Sequence, residues 1–164
     1  EVYRWLAEQP GDVKIIEIPT RWIEDNSEYT YYSVYHWKEM VNGYSGRDVE
    51  LASKIMRDTS GYFPSDNIVS LLQHIGVKYV IIHPDRIRIM ENIPDDQAEA
   101  FISQYLSSLN QKIEQNYNST IRMAGSFGDT IVYEILETPE VLPEDVIYSF
   151  KMGGLDQIHS LNFI

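Results

Sequence analysis

Few side chains in this sequence could carry acid–base chemistry. They are Glu17 near the end of an apolar run, His36 inside an aromatic stretch, and His83 and Asp85 in the triplet His83-Pro84-Asp85 that follows a second apolar run. A carboxylate beside an imidazole can relay a proton as a general acid–base pair. Ligands of open α/β sheets bind beyond the carboxyl ends of the strands, so Glu17, His83 and Asp85 could converge there if both runs are parallel strands. That trio supports one reading, a free-standing small α/β hydrolase-like enzyme. No serine or threonine sits on a strained strand-to-helix elbow, so this reading names no nucleophile and no catalytic residue is assigned. The histidines at 36, 74, 83 and 159 show no i, i+3 or i+4 pairing, and cysteine is absent. No metal site is therefore assigned. Gly43-Tyr-Ser-Gly46 lacks both the lysine and the glycine spacing of a phosphate loop, so no cofactor is expected.

A second kind of chemistry is offered by Tyr29 to Gly46, which holds six aromatic side chains besides His36 and ends in a glycine-rich turn. Aromatic faces stack on the apolar C–H faces of sugar rings while polar neighbours meet the hydroxyls. Tyr31, Tyr32, Tyr35, Trp37 and Tyr44, with His36 and Asn42, are the ligand or interface candidates. The competing role for the same rings is core packing. Asn118-Ser119-Thr120 matches a glycosylation sequon in an expected helix-to-strand turn, so Asn118 is a modification candidate.

The elements that must position these residues follow from periodicity and turn chemistry. Val2, Trp5 and Leu6 share a helical face that stops at Pro10-Gly11-Asp12. Val13 to Ile18 reads as a buried strand closed by Pro19. Polar residues Glu24 to Glu28 read as a loop, Tyr29 to Trp37 as helical, and Asn42-Gly43 with Ser45-Gly46 as an irregular turn. Asp48 caps an expected helix through Val49, Ala52, Ile55 and Met56 that ends before Ser60-Gly61. Ile68, Leu71, Leu72 and Ile75 form a helical stripe closed by Gly76. Val77 to Ile82 follows as a strand buried on both faces. A long helix is expected from about Asp95 to Tyr117, then a hairpin of Ile121 to Phe127 and Thr130 to Leu136 turning at Gly128-Asp129. Val146 to Met152 could add a further strand.

Together these predict a single-domain three-layer α/β sandwich with a mixed, mainly parallel central sheet and an antiparallel edge hairpin. Residues 1–136 form the core domain, and 137–164 form an extension that packs on or extends it. Lys plus Arg number 13 against 25 Asp plus Glu, a net charge of −12 that repels a phosphate polyanion, so no nucleic-acid partner is expected. No apolar run approaches the roughly 20 residues of a membrane helix. The chain starts at Glu1 without methionine and enters directly into a helical pattern, as a piece of a longer protein would.

The order of motifs resembles a known family. It comprises a strand ending Glu17-Ile18-Pro19, then Tyr31-Tyr-Ser-Val-Tyr-His-Trp37, Val41-Asn-Gly-Tyr-Ser-Gly46, Gly76-Val-Lys-Tyr-Val-Ile-Ile-His83 and Val132-Tyr-Glu-Ile135. This order is similar, over residues 1 to 136, to the soluble C-terminal extracytoplasmic domain of multispanning glycosyltransferase-like membrane proteins of the C-type fold, the dolichyl-phosphate-mannose and oligosaccharyl transferase type. Two features depart from that pattern: Arg47-Asp48 follows the glycine turn, with Tyr62-Phe63-Pro64 later, and the tail after Leu136 is longer. The resemblance implies that metal and donor-lipid sites lie in a membrane-embedded part outside this chain. The chain itself would be a non-catalytic domain at the cell membrane, on its extracytoplasmic side. Its partners would be the membrane-spanning portion of the same polypeptide and a glycan or acceptor.

Overall fold

The two apolar runs lie side by side as parallel strands, β1 (Lys14–Ile18) and β3 (Val77–Ile82), with Glu17 opposite Ile81 and Ile18 opposite Ile82. The computed structural model describes residues 1–20, 23–43 and 50–136. Within them β2 (Glu39–Met40) adds to the free edge of β1 in parallel, while β4 (Ile121–Phe127) and β5 (Thr130–Ile135) form the hairpin. The strand order is β2-β1-β3-β5-β4, with β5 antiparallel to β3.

The strand pleat sends alternate side chains to opposite faces, and the core divides accordingly. Ile16, Ile18, Val80, Ile82, Ile131 and Tyr133 pack towards α3 (Glu50–Tyr62), α4 (Asp66–His74), α5 (Pro84–Met90) and α6 (Ala98–Asn116). Ile15, Tyr79, Ile81 and Val132 pack towards α1 (Val2–Glu8) and α2 (Ile23–Tyr32). The outcome is the expected three-layer α/β sandwich with a mixed sheet and an antiparallel edge hairpin. Gly76, at φ 76°, makes the left-handed exit from α4 that lets β3 start at once.

Several boundaries differ from expectation. The polar segment Glu24 to Glu28 is helical, because Asp25 and Glu28 both pair with Arg86 of α5 and the polar face is thus a docking face. Helix α2 stops at Tyr32 and tightens into a 3₁₀ turn, Ser33–Tyr35, short of the expected Trp37. Gly61 lies inside α3, and the helix ends before Pro64, which disfavours helical backbone in the residue preceding it. The long helix opens as a 3₁₀ turn, Asp95–Gln97, and is α-helical from Ala98. Helix α5 and strand β2 carry too few residues for a period to register. The Asp48 cap, the Val146–Met152 strand and the whole 137–164 extension lie outside the described residues.

Leu72 of α4 is fully buried, whereas Ile102, in the first half of α6, is only half-buried. Leu72→Ala should therefore cost about 2–5 kcal/mol in urea denaturation, and Ile102→Ala less than half of that. Equal losses would mean that α6 packs along its full length.

Candidate functional site

Strand parity places the only carboxylate of β1, Glu17, on the same face as Ile15, beneath α1 and α2. It is 0% exposed. His83 follows β3 with the parity of Tyr79 and Ile81, and Thr130 opens β5 with the parity of Val132. The register that sets Ile82 against Ile131 brings these two side chains next to each other on that face. His83 Nε2 lies 2.7 Å from Glu17 Oε2, and His83 Nδ1 lies 3.2 Å from Thr130 Oγ1. The Tyr3 hydroxyl, from α1, donates to the same Glu17 Oε2 at 3.0 Å. Either charge state of the imidazole satisfies both contacts, since the threonine hydroxyl can donate or accept. Burial, reinforced by Glu17, raises the pKa of both Tyr3 and Tyr29 far above the ordinary phenol value. Both therefore remain neutral hydroxyls. Glu17 Oε1 and the Tyr29 hydroxyl have no hydrogen-bond partner among the described residues.

The backbone around the pair is also fastened. The Asn42 side-chain amide accepts from Glu17 N–H and donates to Glu17 C=O, both at 3.0 Å, extending the sheet where β2 has ended. The Tyr29 ring stacks on His83 at 5.3 Å, and the Arg86 guanidinium lies 5.1 Å from the centre of the same ring. Glu17, His83 and Thr130 trace a carboxylate–imidazole–hydroxyl line. However, the buried acid and the placement of the threonine at the start of a strand make the line a fastener across three strands.

From this centre a ladder of rings runs outward. Tyr3 stacks on Tyr32 at 5.0 Å and on His36 at 5.8 Å, and Tyr32 meets Tyr31 edge-on at 5.4 Å. Tyr31, Val34 and Tyr35 occupy i, i+3 and i+4, one stripe of the surface, and are 66%, 49% and 57% exposed. Trp37 is 83% exposed and sits in left-handed backbone at φ 53°. A non-glycine residue held there costs about 1–2 kcal/mol, which the exposed side chain does not recover by burial. Its neighbours hold it: Trp37 N–H donates to Ser33 C=O at 2.8 Å, Lys38 N–H to His36 Nδ1 at 3.0 Å, and Lys38 Nζ to the carbonyls of Gln9 and Gly11. Beside Trp37 a cleft of about 570 Å³ opens between Asp12, Ser33, Lys38 and Glu39, at the amino ends of β1 and β2.

The sequence candidates thus separate. Glu17 and His83 meet, but Asp85 does not join them: it is paired with Arg88 at 2.7 Å, one turn along α5, and Arg88 also donates to Ile93 C=O and Asp95. Asn42 is fully buried and its amide is used by β1, and His36 is buried behind Trp37. Tyr32 is half-buried, whereas Tyr31, Tyr35 and Trp37 face outward. Tyr44 lies outside the described residues. Asn118 is exposed in the turn between α6 and β4. Sequence reasoning missed Tyr3, Thr130, Arg86 and Asp12. For Thr130 the signal was its parity with Val132 along β5, which points to His83 only once the β3–β5 register is known.

Fold and site define an open-sheet α/β domain with a sealed polar centre at the carboxyl ends of its parallel strands and an aromatic cleft at the amino ends. Among the described residues no helix is long and apolar enough to cross a membrane. No protein-family model and no curated protein matches the chain. Among solved structures the chain is similar to the C-terminal globular domain of oligosaccharyltransferase from Archaeoglobus fulgidus, at 15% identity and a TM-score of 0.46, over 82% of this chain and 94% of that one.

Two outcomes follow from the buried centre. His83→Leu leaves a buried carboxylate with one partner fewer and should cost about 3–5 kcal/mol; the double variant Glu17→Leu/His83→Leu should cost clearly less than the two single losses added. Strict additivity in a double-mutant cycle would show the pair to be uncoupled. Burial also holds the His36 imidazole below its ordinary pKa of 6.5. The unfolded chain then binds the proton first, so stability is complete above about pH 6.5 and falls as the pH drops through that value. His36→Asn, whose side-chain oxygen can still accept from Lys38 N–H, should flatten the fall between about pH 6.5 and 5. Unchanged slopes in urea titrations would contradict this.

Proposed function

We propose that this chain is a non-catalytic extracytoplasmic domain of a membrane glycosyltransferase-like protein. Its partner is the membrane-spanning portion of the same polypeptide, and its Tyr31–Trp37 face holds a glycan beside that portion. The carrying observation is Trp37, displayed to solvent on a strained backbone that neighbouring hydrogen bonds lock in place. Strain of this kind clusters at ligand-contacting positions. The Tyr31, Val34 and Tyr35 stripe extends the same apolar face, and a rigid scaffold below it keeps the rings in place without ligand.

The order of motifs over residues 1 to 136 supports the membrane-protein context, and the net charge of −12 fits a glycan better than a phosphate polymer. The free-standing hydrolase reading loses support at two points. Asp85 is engaged with Arg88, and the Glu17 carboxylate is covered by Tyr3 and His83.

The test uses the full-length membrane protein. Trp37→Gly and Tyr35→Ala should each lower glycosyl transfer about tenfold or more, some 1.4 kcal/mol of transition-state stabilisation, with expression unchanged and the thermal midpoint not lowered. Glycine tolerates the left-handed backbone, so Trp37→Gly removes the ring without adding strain. Full activity in both variants would reject the reading.

A further inference from the structure

We propose that the cleft beside Trp37 is a subsite for one uncharged pyranose ring, with the indole as its stacking platform and Asp12 as the acceptor of its hydroxyl protons. This rests on the glycan-holding reading above and names the class of sugar. The volume, about 570 Å³, lies in the range of small-molecule sites, roughly 300–1,000 Å³. That admits a pyranose ring together with its neighbours. The ring class follows from the two kinds of surface that meet here. Trp37 offers an indole face to solvent, and such a face attracts the weakly polarised C–H bonds of a pyranose.

The charge class follows from which groups remain available. The Lys38 ammonium is committed to the carbonyls of Gln9 and Gly11. The Lys14 ammonium is held by Ile75 C=O at 2.9 Å and by Glu39 at 3.3 Å. Among the described residues that line the cleft Lys38 is the only cation, and its ammonium already donates to two carbonyls, while Asp12 makes no side-chain hydrogen bond to another described residue; Asp12 and Glu39 together leave the lining one negative charge in excess. A carboxylate accepts hydroxyl protons well but repels uronic acids, sialic acids and phosphorylated sugars, and the chain's charge of −12 adds to that repulsion. Selection therefore comes from exclusion of anions as much as from attraction.

The experiment follows the indole N–H resonance of Trp37 in the 164-residue chain, titrated with the methyl glycosides of glucose, galactose, mannose and N-acetylglucosamine, and with glucuronate. At least one neutral glycoside should shift the signal with a Kd of about 1 mM, as expected for a shallow site. Glucuronate should bind at least about tenfold more weakly, and the gap should narrow as salt screens the carboxylates. Read by ligand-observed saturation-transfer NMR, which needs no indole, Trp37→Gly should abolish binding of the neutral glycoside with the thermal midpoint not lowered, and Asp12→Asn should narrow the discrimination against glucuronate. Tyr62→Ala, an exposed ring on α3, should change nothing. The proposal is overturned if none of the neutral glycosides shifts the signal at about 50 mM, far above that Kd, or if glucuronate binds equally well. It is also overturned if phosphatidylcholine vesicles shift the signal and sugars do not, which would make the face a lipid contact. No sugar binding combined with lost transfer in full-length Trp37→Gly would sink this subsite and leave the glycosyltransferase-domain reading standing. Sugar binding combined with full transfer activity would do the reverse.

Discussion

The Glu17 carboxylate, buried in the central sheet, governs how the elements around it are placed. An isolated charge in such a place costs several kcal/mol even after relaxation, so it must be surrounded by donors or the strand cannot be central. Glu17 meets that demand at Oε2, where two groups converge, while Oε1 has no partner among the described residues and a third group holds the backbone. Tyr3 comes from α1, His83 from the end of β3, and Asn42 from the segment after β2, by way of the Glu17 backbone. Each tie fixes a different part of the fold. His83 sets where β3 gives way to α5, its backbone N–H bonded to Ile18 C=O at 2.9 Å. Tyr3 draws α1 across the sheet, and Asn42 closes the edge of β1. Thr130 engages the second nitrogen of His83 and so ties the hairpin to the parallel strands.

This arrangement explains why the chemistry of the molecule is divided between its two ends. At the carboxyl ends of β1 and β3, where open sheets ordinarily bind ligands, the polar groups are spent on one another under a lid of Tyr29 and Arg86. At the amino ends the aromatic stretch emerges from its contacts with Tyr3 and turns outward. Tyr32 is the intermediary: one of its neighbours, Tyr3, reaches the buried acid, and another, Tyr31, is largely exposed. The exposed face therefore stands on a ladder whose lowest rung is the Glu17 carboxylate. A surface built this way is held in shape by the core, so its rings need little ordering when a partner arrives.

Elements that rest on local pattern are legible in the residues alone. The β-branched runs ending at Ile18 and Ile82, the stripe through Ile68, Leu71 and Leu72, the glycine after Ile75 and the two-residue turn at Gly128-Asp129 each encode an element through a period or a backbone preference that neighbours in sequence supply. Where the cue was polarity alone it misled: Glu24 to Glu28 looked like a loop, because the cation that makes their helix face a docking face, Arg86, is some 60 residues away in the chain.

Which groups meet is a matter of how distant segments pack. That Glu17 pairs with His83 and not with Asp85, that Thr130 completes the line, and that Asn42 serves β1 all depend on strand register, a relation between distant segments that no local period records. The fate of the aromatic stretch was decided in the same way. Tyr29 is in contact with both His83 and Arg86 and is fully buried, whereas Trp37, eight residues later, is turned to solvent by a left-handed backbone angle held by Ser33, His36 and Lys38. Composition treats these two rings alike. The difference between core and surface lies in what each one's backbone is tied to, and that is settled only when α1, β1 and β2 have packed together.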